Sequence, residues 1–171
     1  LSCAEWTGVR LSTLLDEAGV LPEASWVSST GADGASLGRS IPLNKALRDV
    51  FIALYQNGEP IRPEQGYPMR LFVPGWEGNV SVKWLTQIKL TDMAANFKDE
   101  TSRYTELLPD GKALQFTFPM GTKSVITSPS GQMTLRRQGI HEITGLAWSG
   151  RGAIRRVEVS ADGGRSWADA H

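Results

Sequence analysis

Two basic residues, Arg70 and Lys83, stand on either side of a bend rich in glycine and proline. The bend, residues 74–78, reads Pro-Gly-Trp-Glu-Gly. Glycine has no Cβ, so the backbone of such a bend can come close to a ligand. Basic side chains beside exposed N–H groups form a site for an anion such as a phosphate. On the pattern alone, an ordinary pair of strands with scattered surface charges stays open as the alternative.

The elements that must position these residues follow from the apolar periodicity. Apolar runs on both sides of the bend predict two buried strands, at about 69–73 and 80–90. Residues 91–119 are polar without a clear period, which indicates a long functional loop or a linker. The remaining elements predicted before the bend are a helix over 11–18 stopped by Gly19, a strand at 25–29, a short helix through Leu47, and a strand at 50–55 with a turn at Asn57 and Gly58.

The pattern of the sequence changes near residue 120. From Lys123 onward, short apolar runs alternate with glycine and proline, and Asp162-Gly163-Gly164 predicts a tight turn. This spacing is typical of an antiparallel sandwich. We therefore expect two domains, 1–120 and 121–171, the second being only the first part of a sandwich.

Composition excludes several classes of function. The chain has 171 residues with 18 Lys plus Arg and 18 Asp plus Glu, so its charge gives no reason to expect a nucleic acid or an acidic membrane as partner. No apolar run is long enough to span a membrane. Cys3 is the single cysteine, which excludes an internal disulfide and a cysteine-based zinc site, and His141 and His171 have no neighbouring metal ligands. We therefore expect no metal ligand in this chain.

Residues 66–85 resemble the molybdopterin-binding signature of the sulfite oxidase family, Gly-Tyr/Phe-Pro-x-Arg-x-x-Val-Pro-Gly followed by Val-Lys-Trp-Leu. The resemblance extends over nearly the whole chain. Residues 99–104, Asp-Glu-Thr-Ser-Arg-Tyr, are similar to the molybdenum subunit of the bacterial sulfane dehydrogenase (SoxC) branch. Other segments that match the family in the same order are 1–11, 40–43, 55–61, 124–129, 145–150 and 157–167.

The resemblance implies an α+β fold. Residues 1–120 would be the C-terminal portion of a molybdopterin domain with mixed sheets and short helices, and residues 121–171 the first part of an immunoglobulin-like dimerisation domain. A homodimer would form through that second domain.

The resemblance also implies an enzyme that depends on molybdenum and molybdopterin. It would oxidise a sulfur substrate, either sulfane sulfur on a carrier protein or sulfite, by oxo transfer at molybdenum. Electrons would pass to the haem of a separate c-type (dihaem) cytochrome, and the location would be the periplasm. A sulfite dehydrogenase, a methionine-sulfoxide-reductase type and a non-catalytic β-rich binding module stay open as alternatives.

Six cofactor-binding residues follow from the resemblance. Arg70 and Lys83 would hold the pterin phosphate and ring edge, the first as a planar fork and the second as a point charge. The other four positions are Asp33, Gln65, Ser81 and Val82.

Two further residues would serve the reaction. Tyr104 occupies the place of the family's active-site tyrosine, whose hydroxyl could bind substrate and assist proton movement. Arg103 beside it could attract an anionic substrate.

Cys3 invites assignment as the metal ligand, and the resemblance argues against it. The family's metal-anchoring cysteine lies upstream of residue 1, and Cys3 aligns with a small structural position, so we expect a buried thiol. For the same reason we expect the chain by itself to be inactive.

Overall fold

The computed structural model describes residues 3–171, and these form two compact units. The first ends at Phe118 and the second is Pro119–His171. The elements of the first unit in chain order are β1 (Trp6–Arg10), α1 (Leu11–Ala18), β2 (Trp26–Gly31), β3 (Gly38–Pro42), α2 (Leu43–Asp49), β4 (Phe51–Gln56), β5 (Glu59–Pro60), β6 (Arg70–Phe72), β7 (Leu85–Thr91), α3 (Lys98–Ser102), β8 (Thr105–Leu107) and β9 (Ala113–Gln115).

Two antiparallel sheets, of four and three strands, contain most of the strands of the first unit. In one, β4 pairs with β1 along one edge and with both β5 and β6 along the other. In the other, β2 lies between β3 and β7. Together with the short helices, these sheets confirm the predicted α+β class.

The first helix forms where the sequence predicts it. Leu11 and Leu15, one turn apart, are both buried, and Gly19 ends the helix at a φ of 80° while its N–H donates to the Leu15 carbonyl. The apolar core to which they belong comprises Leu11, Leu15, Val27, Ile41, Ala46, Val50, Ile52, Leu71, Val73, Val80 and Val82.

The prediction of two strands on either side of the bend is half wrong. β6 covers Arg70–Phe72, but residues 81–84 form no strand and β7 begins only at Leu85, with half-buried and exposed residues and no buried one. Moreover, β6 pairs with β4 whereas β7 pairs with β2, so the two strands belong to different sheets. Burial of the apolar run at 80–82 comes from a 3-10 turn, Gly78–Val80, rather than from a strand.

The prediction of a long irregular segment at 91–119 is also wrong. It contains α3 and the β8–β9 hairpin. These elements are too short to give a hydrophobic period, and α3 is fixed by a single buried residue, Glu100, which is 2% exposed. The carboxylate of Glu100 accepts hydrogen bonds from the backbone N–H and the hydroxyl of Ser40 in β3 and from the N–H of Phe97.

The second unit contains two separate antiparallel pairs. β10 (Lys123–Ser128) pairs with β11 (Thr144–Trp148), and β12 (Glu158–Val159) pairs with β13 (Ala168–Asp169). Between β12 and β13, Gly163 and Gly164 adopt φ values of 75° and 87°, as the turn motif predicts. No helix among residues 3–171 combines the length and apolar character that crossing a membrane requires.

The pKa of Glu100 yields a prediction for stability. Burial raises this pKa, an effect that outweighs the hydrogen bonds from Ser40 and Phe97 and the nearby charge of Arg39. The folded state then binds the proton more tightly than the unfolded state. Protonated Glu100 therefore stabilises the fold. This stabilisation is complete below the pKa of the unfolded state, near 4.5, and is lost as the pH rises through the pKa of the folded state.

We therefore expect the free energy of unfolding of the wild type to fall relative to that of Glu100→Gln as the pH rises above about 4.5, by up to about 1.4 kcal/mol for each unit of pKa shift, and the melting temperature to fall with it. Calorimetry at matched pH values measures this difference. Glu106→Gln, on the exposed face of β8, is the control and should track the wild type at every pH. A wild type that gains on Glu100→Gln as pH rises would contradict the assignment.

Candidate molybdopterin site

Arg70 is a buried cation that joins two turns of the backbone. Its Nη1 donates to the carbonyl of Gln65 at 3.1 Å and its Nη2 to the carbonyl of Ser81 at 2.9 Å. The guanidinium lies 5.2 Å from the ring centre of Trp6, and burial lowers its pKa. Arginine nevertheless stays charged at neutral pH, so a positive charge is held just below the surface here.

Lys83 approaches the same 3-10 turn, Pro63–Gln65, from the neighbouring segment. Its Nζ donates to the carbonyl of Glu64 at 2.5 Å and lies 5.5 Å from the ring centre of Trp84. Since Arg70 and Lys83 bind consecutive carbonyls of one turn, the structure brings the two cations together, as the sequence predicts.

Backbone hydrogen bonds explain why the two segments lie side by side. The N–H of Leu71 donates to the Val82 carbonyl at 2.8 Å, and the N–H of Leu85 donates to the Met69 carbonyl at 3.0 Å. These two bonds bracket Arg70 on one segment and Lys83 on the other. No regular ladder is needed for this pairing, which is why strand patterning could not show it.

Gly66 fills the space between the two cationic stems. A Cβ on Gly66 would lie 2.9 Å from the Cβ of Lys83 and 3.2 Å from the Cβ of Arg70. Its φ of 109° also lies in a region that side chains rarely adopt. Only glycine therefore allows both side chains to flank this turn.

The bend at 74–78 has a different role from the one predicted. Its Pro74 carbonyl accepts a hydrogen bond from the buried Nζ of Lys45 at 2.7 Å, and Trp76 stacks on Phe118 with ring centres 4.3 Å apart. The N–H of Glu77 donates to the Phe118 carbonyl. The bend is thus packed against protein, and the backbone that comes close to the two cationic side chains is that of Gly66 instead.

Arg70, Lys83, Gly66 and the turn Pro63–Gln65 together are called the Arg70–Lys83 cluster. Asp33 lines a cleft of about 550 Å³ beside this cluster. Its Oδ1 accepts hydrogen bonds from the N–H groups of Ala35 and Leu37, so the side chain stabilises the loop in which it lies. The neighbouring Ala32 N–H donates to the Trp84 carbonyl, which places this loop next to Lys83. The cleft is also lined by Tyr67, Pro68, Leu85 and Thr86.

Gln65, Ser81 and Val82 contribute to the cluster mainly through their backbones. The carbonyls of Gln65 and Ser81 receive Arg70, and the Val82 carbonyl receives Leu71. The Ser81 hydroxyl accepts from the N–H of Val73, which leaves its own proton free to donate. The Val82 side chain is fully buried in the core, so any ligand contact of Val82 is confined to its main chain.

Tyr104 and Arg103 lie apart from that cleft. Tyr104 lines a narrow crevice of about 10 Å³, room for roughly one water, together with Arg39 and Glu100. Arg103 points away, with a side chain 75% exposed and paired with Asp99 at 3.6 Å. The position of Arg103 fits a surface charge that attracts an anion, and no described contact places it beside Lys83.

Sequence reasoning missed Arg39 and Lys45, both 3% exposed, and it misplaced Cys3. Arg39 stands between Gly38 and Ser40 in β3, and its partner Tyr104 follows many residues later, so local spacing gives no signal. Cys3 is exposed rather than buried, because it precedes β1 and has no paired strand beside it. Among residues 3–171 there is no group of three or more potential metal ligands.

Comparison of the sequence with known families gives two matches. The family described as "Oxidoreductase molybdopterin binding domain" matches residues 1–98. The family described as "Mo-co oxidoreductase dimerisation domain" matches residues 115–171. Together they cover nearly the whole chain and include every residue of the Arg70–Lys83 cluster.

Individual relatives agree with these matches. The chain is 36% identical to mitochondrial sulfite oxidase of Drosophila melanogaster, and the match covers 96% of this chain and 32% of that protein. It is 34% identical to inducible nitrate reductase [NADH] 1 of Glycine max, and that match covers 97% of this chain and 22% of the relative. Among solved structures, the sulfane dehydrogenase SoxCD from Paracoccus pantotrophus superposes with a TM-score of 0.89 at 51% identity, covering 98% of this chain and 43% of the other.

The chain thus spans less than half the length of each of these relatives. The predicted family is confirmed on both the sequence and the fold. This chain belongs to the molybdopterin-binding oxidoreductases of the sulfite oxidase family.

Proposed function

We propose that the protein to which this chain belongs oxidises sulfane sulfur, with molybdopterin as its cofactor. The observation that carries the proposal is the likeness to sulfane dehydrogenase SoxCD, at 51% identity over 98% of the chain. That identity is well above the 36% and 34% shared with a sulfite oxidase and a nitrate reductase. A sulfur substrate is therefore favoured over nitrate, and sulfite is the second candidate.

The residues of the cluster fit a phosphate-bearing cofactor. The Nε of Arg70 is buried and has no hydrogen-bond partner among the described residues. Lys83 has three donor positions, of which one contact, to Glu64, is seen. Cationic side chains with unused hydrogen-bond donors, beside a turn that a glycine leaves open, suit the binding of a phosphate.

In this proposal each residue has a distinct task. Lys83 and Arg70 bind the phosphate, Ser81 donates its free hydroxyl proton, and Asp33 and Gln65 border the pterin. Molybdopterin, when bound, supplies the two-electron redox chemistry and the oxygen transfer to sulfur. Val82 holds the turn in the core, so that the neighbouring donors keep their positions.

Tyr104 and Arg103 serve the substrate in this proposal. The structure records no protein partner for the Tyr104 hydroxyl among residues 3–171, so the hydroxyl is available to donate to substrate or to hold a proton. Arg103 supplies positive charge at the surface, which raises the local concentration of an anionic substrate.

We further propose a separate electron acceptor, a dihaem c-type cytochrome, in the periplasm. The likeness to the sulfane dehydrogenase SoxCD supports a haem on a separate partner chain. The dimerisation-domain match at 115–171 supports a homodimer.

The cofactor assignment predicts the effect of removing the Lys83 charge. We expect Lys83→Met, in the full-length protein, to retain at least tenfold less molybdopterin after dialysis, because a charge-assisted hydrogen bond contributes about 1.5–3 kcal/mol. Bound molybdenum and the fluorescence of the released, oxidised pterin measure this loss.

Lys89→Met is the matched control, since Lys89 is exposed on β7 within the same segment. It should retain cofactor like the wild type, and both variants should melt within a few degrees of it. Full cofactor retention by a folded Lys83→Met protein would contradict the assignment.

The substrate assignment predicts an order of rates. With cytochrome c as acceptor, we expect the full-length holoprotein to oxidise a persulfide-loaded carrier protein at least ten times faster than sulfite, and to show no nitrate reduction with a reduced dye. Initial rates at matched substrate concentrations test this order. Faster turnover of sulfite would establish the second candidate, and nitrate reduction would contradict both.

A further inference from the structure

We propose that Arg39 is a positioning residue for Tyr104, and that Glu100 holds the two together. The inference rests on the proposed function, because it takes the Tyr104 hydroxyl to be the group that meets the substrate. Nothing in the cofactor-binding cluster requires Arg39, which lies in β3 and faces the narrow crevice rather than the cleft beside Lys83.

The contact between Arg39 and Tyr104 is that of a cation on an aromatic face. The guanidinium carbon lies 5.0 Å from the ring centre of Tyr104. Nη1 of Arg39 donates to the Gly38 carbonyl at 2.7 Å, which anchors the group to its own strand. A planar guanidinium stacks on a ring more closely than an ammonium does, so lysine is an imperfect substitute here.

Burial makes this contact specific. Arg39 is 3% exposed, and its Nε has no hydrogen-bond partner among the described residues. A buried cation with an unsatisfied donor is costly unless nearby groups compensate for it. The Tyr104 ring and the carboxylate of Glu100 line the same crevice and supply that compensation.

Glu100 fixes both sides of the contact. Its carboxylate receives the N–H and the hydroxyl of Ser40, the residue next to Arg39. It also receives the N–H of Phe97 at the start of α3, the helix that ends two residues before Tyr104. One carboxylate therefore ties the strand that carries Arg39 to the helix that precedes Tyr104.

The result is a tyrosine held by its ring and free at its hydroxyl. Tyr104 is 36% exposed, and its hydroxyl has no protein partner in the described part of the chain. Arg39 would thus act on the reaction through the orientation of Tyr104. A merely structural arginine would stabilise the fold without affecting what Tyr104 does.

The first test observes the ring directly and needs no turnover. The full-length protein, with and without cofactor, is labelled with 3-fluorotyrosine, and Tyr104→Phe assigns the fluorine resonance of Tyr104. We expect Arg39→Met/Glu100→Gln to shift and sharpen this resonance, as a ring released from its cation turns freely. This double variant removes both buried charges, so neither is left unpaired.

Arg39→Lys should give an intermediate shift, since it keeps the charge and loses the stacking. Arg48→Met, which removes an exposed arginine on α2, is the control and should leave the resonance in place. An unchanged Tyr104 resonance in a folded Arg39→Met/Glu100→Gln protein would overturn the proposal.

The second test is a kinetic cycle on the holoenzyme. We expect Arg39→Met/Glu100→Gln to lower kcat roughly ten- to a hundredfold, as misplacement of a reacting group does. Added to Tyr104→Phe, it should lower kcat by less than about twofold more, because both changes remove one function. Effects that multiply would overturn the proposal.

The two tests separate the two claims. If the wild type oxidises no sulfur compound, the proposed function fails, and the fluorine resonance still decides whether Arg39 holds Tyr104. If the wild type is active but the resonance ignores Arg39, the positioning role fails and the proposed function stands.

Discussion

The buried guanidinium of Arg70 is the interaction on which the candidate site depends. It binds the carbonyls of Gln65 and Ser81, which belong to two turns that have no strand pairing with each other. Hydrogen bonds from a charged donor are stronger than neutral ones, and both carbonyls would otherwise lack this partner. The geometry around Gly66 follows, because fixing these turns sets the position of Lys83 across from Arg70.

Buried charges recur throughout the first unit. Arg39, Lys45, Arg70 and Glu100 are each at most 8% exposed, and each binds backbone groups of a turn or a strand. Lys45 holds the 74–78 bend to α2 in the same way that Arg70 holds the Ser81 turn. The apolar core specifies the two sheets, whereas these charges specify the irregular segments from which the candidate site is built.

Local signals in the sequence predicted a good part of this structure. The helix over 11–18 and the Asn57-Gly58 hairpin were correct, because apolar spacing and turn chemistry act over a few residues. The proximity of Arg70 and Lys83 was also predicted, although through a pair of strands that does not exist. Two isolated backbone hydrogen bonds, rather than a ladder, produce that proximity.

The features that the sequence did not reveal are contacts between residues far apart in the chain. Arg39 meets Tyr104, and Glu100 meets Ser40, across 60 or more residues, and no local pattern marks such pairs. Short elements such as α3 and the β8–β9 hairpin lack a hydrophobic period, so residues 91–119 resembled a loop. The role of the 74–78 bend was misjudged because Lys45, its partner, stands in a helix far from it in sequence.

The most direct measurement for the central claim is a crystal structure of the full-length protein with its cofactor bound. The account predicts that phosphate oxygens lie about 2.7–3.2 Å from Lys83 Nζ and from the guanidinium of Arg70. A cofactor phosphate bound at another place, with Lys83 still donating to the Glu64 carbonyl, would contradict it.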